Sequence, residues 1–200
     1  MTAPTDASNP AVPRLRADAA RKRATILAAA RVMLAEQCGE IPLNRLAERS
    51  GVGVGTVYRH FPDQQTLREG LAAASLTELV DDAKAAAADP DPRSSLERLL
   101  RAGLQLQLRD PVLADVLCGP SPVCVETLTL SSELMMSITG VIARARDAGI
   151  IEPGITADDL RRLIGGVLFA AHAGSDVEHN AERYFQLMLT ALTYTGSDAD

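Results

Sequence analysis

The side chains best equipped for chemistry crowd into residues 51–61, GVGVGTVYRHF. Three glycines alternate with valines, and Thr56, Tyr58, Arg59 and His60 follow at once. Two chemistries suit such a run. Glycines can let a loop cradle the phosphates of a nucleotide, and a hydroxyl, a phenol, a guanidinium and an imidazole can grip the phosphates of DNA. The spacing separates them. A dinucleotide loop needs G-x-G-x-x-G after a buried strand, and a P-loop needs Lys and then Ser or Thr after its last glycine. Here the glycines stand at 51, 53 and 55 behind the helical run LNRLAERS, and Gly55 is followed by Thr56 and Val57. The nucleotide cradle does not fit. No nucleophile–base or metal-ligand spacing occurs elsewhere, so an enzyme, a cofactor and a metal site are not expected. Asp176, Glu178, His179 and His172 read as a solvated loop plus one helical histidine rather than a metal cluster.

The flanking residues position this run. Leu43, Leu46 and Ala47 recur on one face of a short helix that Pro42 can open, and Val52, Val57 and Phe61 face back toward it. A small residue at 47 allows close approach, and Gly51 can take the positive φ of a sharp turn. This is the spacing of a helix-turn-helix, whose second helix enters the DNA major groove. Upstream, Ile26, Leu27, Ala30, Met33 and Leu34 recur at three and four spacings, predicting an amphipathic helix over 17–37 that Cys38-Gly39 ends. Pro62-Asp63 then punctuates, with Asp63 as the cap of a long helix over 64–88.

Composition agrees. The chain is 46% hydrophobic but only 3% aromatic, without Trp, and is dominated by good helix formers. The reading is all-α, about nine helices, with residues 1–13 as a disordered arm. Later helices are expected over 94–109 (capped by Ser94 or Ser95), 111–117, 123–148, 156–173 and 181–195, with GSDVEHN as a loop. Thr156 and Asp159 have the spacing of a capping box.

Charge is uneven. Residues 14–62 hold nine basic and four acidic residues, +5, which leaves −11 to the rest of a chain of net charge −6. A basic end on an acidic body suggests an anionic partner met by one end. The three cysteines, Cys38, Cys118 and Cys124, form no CxxC, which fits a reducing compartment. No apolar run approaches the roughly 18 residues of a membrane span and no signal peptide is visible. A soluble cytoplasmic protein is expected.

The stretches AARKRATILAAARVMLAEQCG and PLNRLAERSGVGVGTVYRHFPDQQTLREGL resemble the N-terminal domain of the TetR family of transcriptional regulators. The resemblance covers residues 17–71 and implies a helix-turn-helix domain over 14–62, joined by a long helix to a helical ligand-binding and dimerisation domain over 63–200. It implies a repressor released from a near-palindromic operator by a small hydrophobic ligand, and a homodimer built on the last two helices. The alternative is a helical small-molecule or redox-sensing module with vestigial DNA contacts.

Carried onto matching positions, the resemblance assigns Thr56, Tyr58 and His60 to phosphates, which position without specifying. Val54, Gly55, Arg59 and Arg45 are assigned to the groove. Lys22 and Arg23, with the arm of Arg14, Arg16 and Arg21, are assigned to flanking phosphates or the minor groove. Phe61 is expected in the core. Gln64 and Gln65 stand where many relatives carry a basic anchor, predicting a shallower salt dependence. For the ligand cavity the candidates are Leu104, Gln105, Gln107, Leu108, Cys118, Met135, Met136, Phe169 and His172. For the dimer interface they are Gly165, Gly166, Phe185, Met188, Leu189 and Leu192. Glycines inside a helix cost ~1 kcal/mol each, which close packing against a partner helix would offset.

Overall fold

The structure is a computed structural model that describes residues 11–36 and 39–193, with side chains from Arg16 onward. Among these the chain is all-α, with nine helices: α1 (Ala11–Glu36), α2 (Leu43–Ser50), α3 (Val54–His60), α4 (Gln64–Ala87), α5 (Pro92–Arg109), α6 (Pro111–Cys118), α7 (Val125–Asp147), α8 (Ala157–His172) and α9 (Val177–Leu192). None is long and apolar enough to cross a membrane. The expected disorder of residues 1–10, the helix stop at Cys38 and the last residues of the chain lie outside the described residues. The chain divides into two compact units between Leu71 and Ala72, inside α4.

In the first unit, α1 begins six residues ahead of the predicted Ala17, so residues 11–13 are helical rather than part of an arm. Pro13 falls in its first turn, where a missing N–H leaves no helical bond unmade. The apolar stripe closes as the spacing predicts. Ile26, Leu27, Ala30 and Met33 of α1 are buried, as are Leu43, Leu46 and Ala47 of α2, Val57 of α3, Phe61, and Leu67 and Leu71 of α4. Burial of side chains this size is worth roughly 1.5–3 kcal/mol each. Gly51 ends α2 at φ 66°, its N–H donating to the Glu48 carbonyl at 3.3 Å. Asp63 caps α4: its Oδ1 accepts from the Thr66 amide at 2.8 Å, and a bond from the Thr66 hydroxyl, then that amide bond, hold its carboxyl below the usual range.

In the second unit, Leu96, Leu100 and Leu104 of α5, Val141 and Ala145 of α7, Ile164 and Leu168 of α8 and Phe185 of α9 share one core. Two helix starts differ from expectation. Asp91, not Ser94 or Ser95, caps α5, because Pro92 fits the first helical position and Asp91 Oδ2 accepts from the Ser94 amide at 2.9 Å. Ser95 is instead buried, donating to the Ala86 carbonyl at 2.7 Å and accepting from Arg144 at 2.7 Å. GSDVEHN is only half a loop. Asp176 accepts from the His179 amide at 3.0 Å and starts α9 at Val177. The capping box of α8 forms as read, with Thr156 and Asp159 bonding reciprocally at 2.9 and 3.2 Å.

Candidate functional site

Within the first unit, the burial of Val57 decides how α3 is presented. Val57 is fully buried, while Val54, Gly55, Tyr58 and Arg59 of the same helix are all exposed. Val54 and Tyr58 keep 46% and 44% of their surface in solvent. Arg45 is exposed on α2, while Thr56 and His60 are half-buried on the flanks of α3. The face offers a phenol, a guanidinium, a hydroxyl and an imidazole, with no acidic side chain on α3.

The turn into α3 leaves donors at its start. Gly53 is the N-cap and has no side chain to offer the amides of Val54 and Gly55. The Thr56 amide donates to the Gly53 carbonyl at 2.8 Å, and the Val57 amide follows at 3.1 Å. A tight first turn consumes the third amide, so only the hydroxyl of Thr56 is left to contribute.

Arg23 takes a place the sequence did not suggest. It is half-buried, with its guanidinium carbon 5.4 Å above the Phe61 ring, a cation–π contact that lids the core. Gly70 faces the same ring. A Cβ there would meet Phe61 Cε1 at 2.8 Å and Arg23 Nη2 at 3.1 Å, so α4 can lie this close only with glycine at 70. Lys22 is exposed and pairs with Asp18 at 2.6 Å, holding the Asp18 carboxyl below its usual range. An exposed pair of this kind is worth little and yields easily to a phosphate. Burial, then the charges of Arg23, Arg59 and Lys22, push the His60 imidazole down, so at neutral pH it is an uncharged hydrogen-bonding group.

Gln64 has a local role. Its Nε2 donates to the Ile41 carbonyl at 2.6 Å, tying the start of α4 to the segment that leads into α2. Gln65 donates to Glu69 at 3.2 Å. The side chain at 64 braces the helix-turn-helix rather than reaching outward.

Within the second unit a cavity of about 370 Å³ lies among α4, α5, α6, α7 and α8. Leu79, Leu99, Leu100, Leu134, Ile138 and Ile164 make most of its wall. Of the nine cavity residues expected from sequence, it brings together Gln107 and Met135; Cys118 is exposed, although its neighbours Leu117 and Gly119 line the wall. Leu104, Gln105 and Leu108 instead border a separate polar hollow with Arg98, Arg101 and Glu182. Met136 and Phe169 stand 68% and 80% exposed, and His172 is also at the surface, its Nδ1 2.8 Å from the Leu168 carbonyl. On α5 the cavity is lined by residues 99, 100, 103 and 107, whereas Leu104 is buried in the core and borders the other hollow. Gly103, Ser131 and Arg161 of the lining were not foreseen. Each sits one helical turn from another lining residue, Gln107, Met135 and Ala157 respectively, but small or polar side chains carry no apolar signal.

The dimer candidates divide as well. Phe185, Met188 and Leu192 are buried in their own chain, Phe185 completely, beneath Arg101 at 4.6 Å from its ring. Leu189 is half-buried against the same core. The outward apolar residues are Leu163 and Phe169 of α8 and Leu187 of α9, and a shallow groove there is lined by Leu163, Gly166, Ala170 and Ala191. Around Gly166 a Cβ would meet open space, and around Gly165 only Cys118 Sγ at 4.0 Å. Apart from Cys118, no described side chain comes within 4 Å of a Cβ built at either glycine.

Comparison with known proteins accords with this arrangement. The family model described as bacterial regulatory proteins, tetR family, matches residues 26–71. The TetR transcriptional regulator SCO0520 from Streptomyces coelicolor is 26% identical, with 87% of this chain and 99% of that one covered at a TM-score of 0.51. A TetR family transcription regulator from Marinobacter aquaeolei shares the fold at a TM-score of 0.56 and 19% identity, over 90% of this chain and 98% of that one. LfrR from Mycobacterium smegmatis, in complex with proflavine, is 23% identical at a TM-score of 0.52, over 90% and 99%. No curated protein sequence matches.

Proposed function

Because the chain is a TetR-family, DNA-binding transcriptional regulator, we propose that it acts as a homodimeric repressor released from a near-palindromic operator by a small apolar ligand. The observation that carries the reading is the α3 face, where Val57 anchors the helix and Val54, Gly55, Tyr58 and Arg59 stand outward. Thr56, Tyr58 and His60 position the helix on phosphates, with Lys22 on the flank. Arg45, Val54, Gly55 and Arg59 read base edges, where one arginine–guanine pair discriminates by ~1–3 kcal/mol. Arg23 serves this site by holding Phe61 and its neighbours in place.

The dimer is supported by the outward apolar face of α8 and α9. Phe169 and Leu187 stand 80% and 59% exposed on the two helices whose shallow groove is lined by Leu163 and Gly166. Two recognition helices on one face of DNA require half-sites about 34–36 Å apart, so a small change in their separation weakens binding. The cavity supplies the ligand site. Helix α4 lends Leu79 to its wall and begins at Gln64, bonded to Ile41, so it is the element through which occupancy reaches the recognition helix. Footprinting of the upstream region of its own gene tests the proposal. A protected near-palindrome is expected, and uniform, sequence-independent protection would overturn it.

A further inference from the structure

We propose that the effector is an uncharged aliphatic molecule bearing one hydroxyl or amide N–H, and that Gln107 is the residue that selects it. The inference rests on the cavity being the ligand site. Its wall is aliphatic, and no aromatic side chain lines it, so there is no surface on which a planar ring would stack. Gln107 is the one lining residue that is both polar and buried, at 7% exposure. Its Nε2 donates to the Gly103 carbonyl at 2.9 Å, which fixes the amide orientation, since a carbonyl must face an N–H. The Gln107 Oε1 takes no hydrogen bond among the described residues, nor is it sealed from the cavity; among those residues the sealed, unpartnered side-chain atom is Arg146 Nε. An acceptor in an apolar wall is satisfied by a ligand that donates.

The same atoms argue against an anionic head at that depth. A carboxylate beside Oε1 would face an acceptor, and one of the two amide N–H groups is already bonded to the Gly103 carbonyl. The one cation in the lining is Arg161, half-exposed on α8 and bonded to Asp158 Oδ1 at 2.6 Å. Asp158 Oδ2 in turn pairs with Arg162 at 2.6 Å. Both guanidiniums share that one carboxylate at the half-exposed rim, and an anion buried at Gln107 without a cation beside it is costly.

The test compares decanol, its methyl ether and decanoate by calorimetric titration into the full-length protein, and then into Gln107→Leu, a substitution of similar volume that removes the acceptor. The proposal expects decanol to bind wild type at least tenfold more tightly than the ether, the size of one unmet buried acceptor, and more tightly than decanoate. In Gln107→Leu the alcohol and the ether should converge to within about twofold. Equal binding of alcohol and ether to wild type, or preference for decanoate, overturns the ligand class while leaving the cavity as the effector site. Failure of all three to bind a folded protein that still binds DNA overturns the cavity reading itself. Decanol binding that does not release DNA keeps the ligand class and refutes ligand-driven release.

Discussion

Single side chains around Phe61 set whether the recognition surface exists. Gly70 meets the Phe61 ring so closely that an added Cβ would sit 2.8 Å from Cε1. Gly70→Ala should therefore destabilise the first unit by about 1–3 kcal/mol despite alanine's better helix propensity, read as a lower midpoint in urea. His60 supplies the second prediction at this scale. Its folded-state pKa is depressed, so its contribution to stability is present above the unfolded value of about 6.5 and is lost as pH falls below it. DNA phosphates act oppositely and favour the charged imidazole. Operator affinity should rise as pH falls from 8 to 6, with uptake of up to about one proton per protomer. His60→Asn should flatten that profile, and an unchanged slope would remove His60 from the contact set. These roles were partly legible: Tyr58 and His60 stand in the motif itself, whereas the lid made by Arg23 and the brace made by Gln64 depend on distances no spacing encodes.

At the scale of elements, the sequence was most legible where a cap or a glycine is obligatory. Gly51 at positive φ, Asp63 on α4 and the reciprocal bonds of Thr156 and Asp159 all form where the residue types demanded them. It was least legible where several polar residues compete, as at Asp91 against Ser94 and Ser95, or where a polar segment hides a helix start, as at Asp176. Which face of α5 and α9 packs inward was illegible for a different reason. Both helices have apolar residues on more than one side, and only packing decides that Phe185 goes in while Leu187 stays out. A cap prediction belongs here. Asp63→Ala should cost about 1 kcal/mol by removing the acceptor for the Thr66 amide. Circular dichroism melts should show the loss, and Asp63→Asn should recover most of it.

At the scale of the molecule, the proposed function requires two recognition helices held at a set distance. The outward face of α8 and α9 is the proposed means, so Phe169→Glu combined with Leu187→Glu should yield a folded monomer by sedimentation and weaken operator binding by at least tenfold. A dimer that survives both charges would place the interface elsewhere. Sequence alone pointed to these two helices but named residues that pack inward, because an amphipathic stripe does not say which of two partners it will meet. The central claim is that the α3 face reads duplex DNA through positioning groups and reading groups. Fluorescence anisotropy with a labelled operator duplex, titrated against wild type and against Tyr58→Phe with His60→Ala, addresses it directly. The account predicts specific binding by wild type below micromolar protein and its loss in the double variant, with the fold intact. Equal binding by both proteins, or no preference of wild type for the operator over a scrambled duplex, would contradict it.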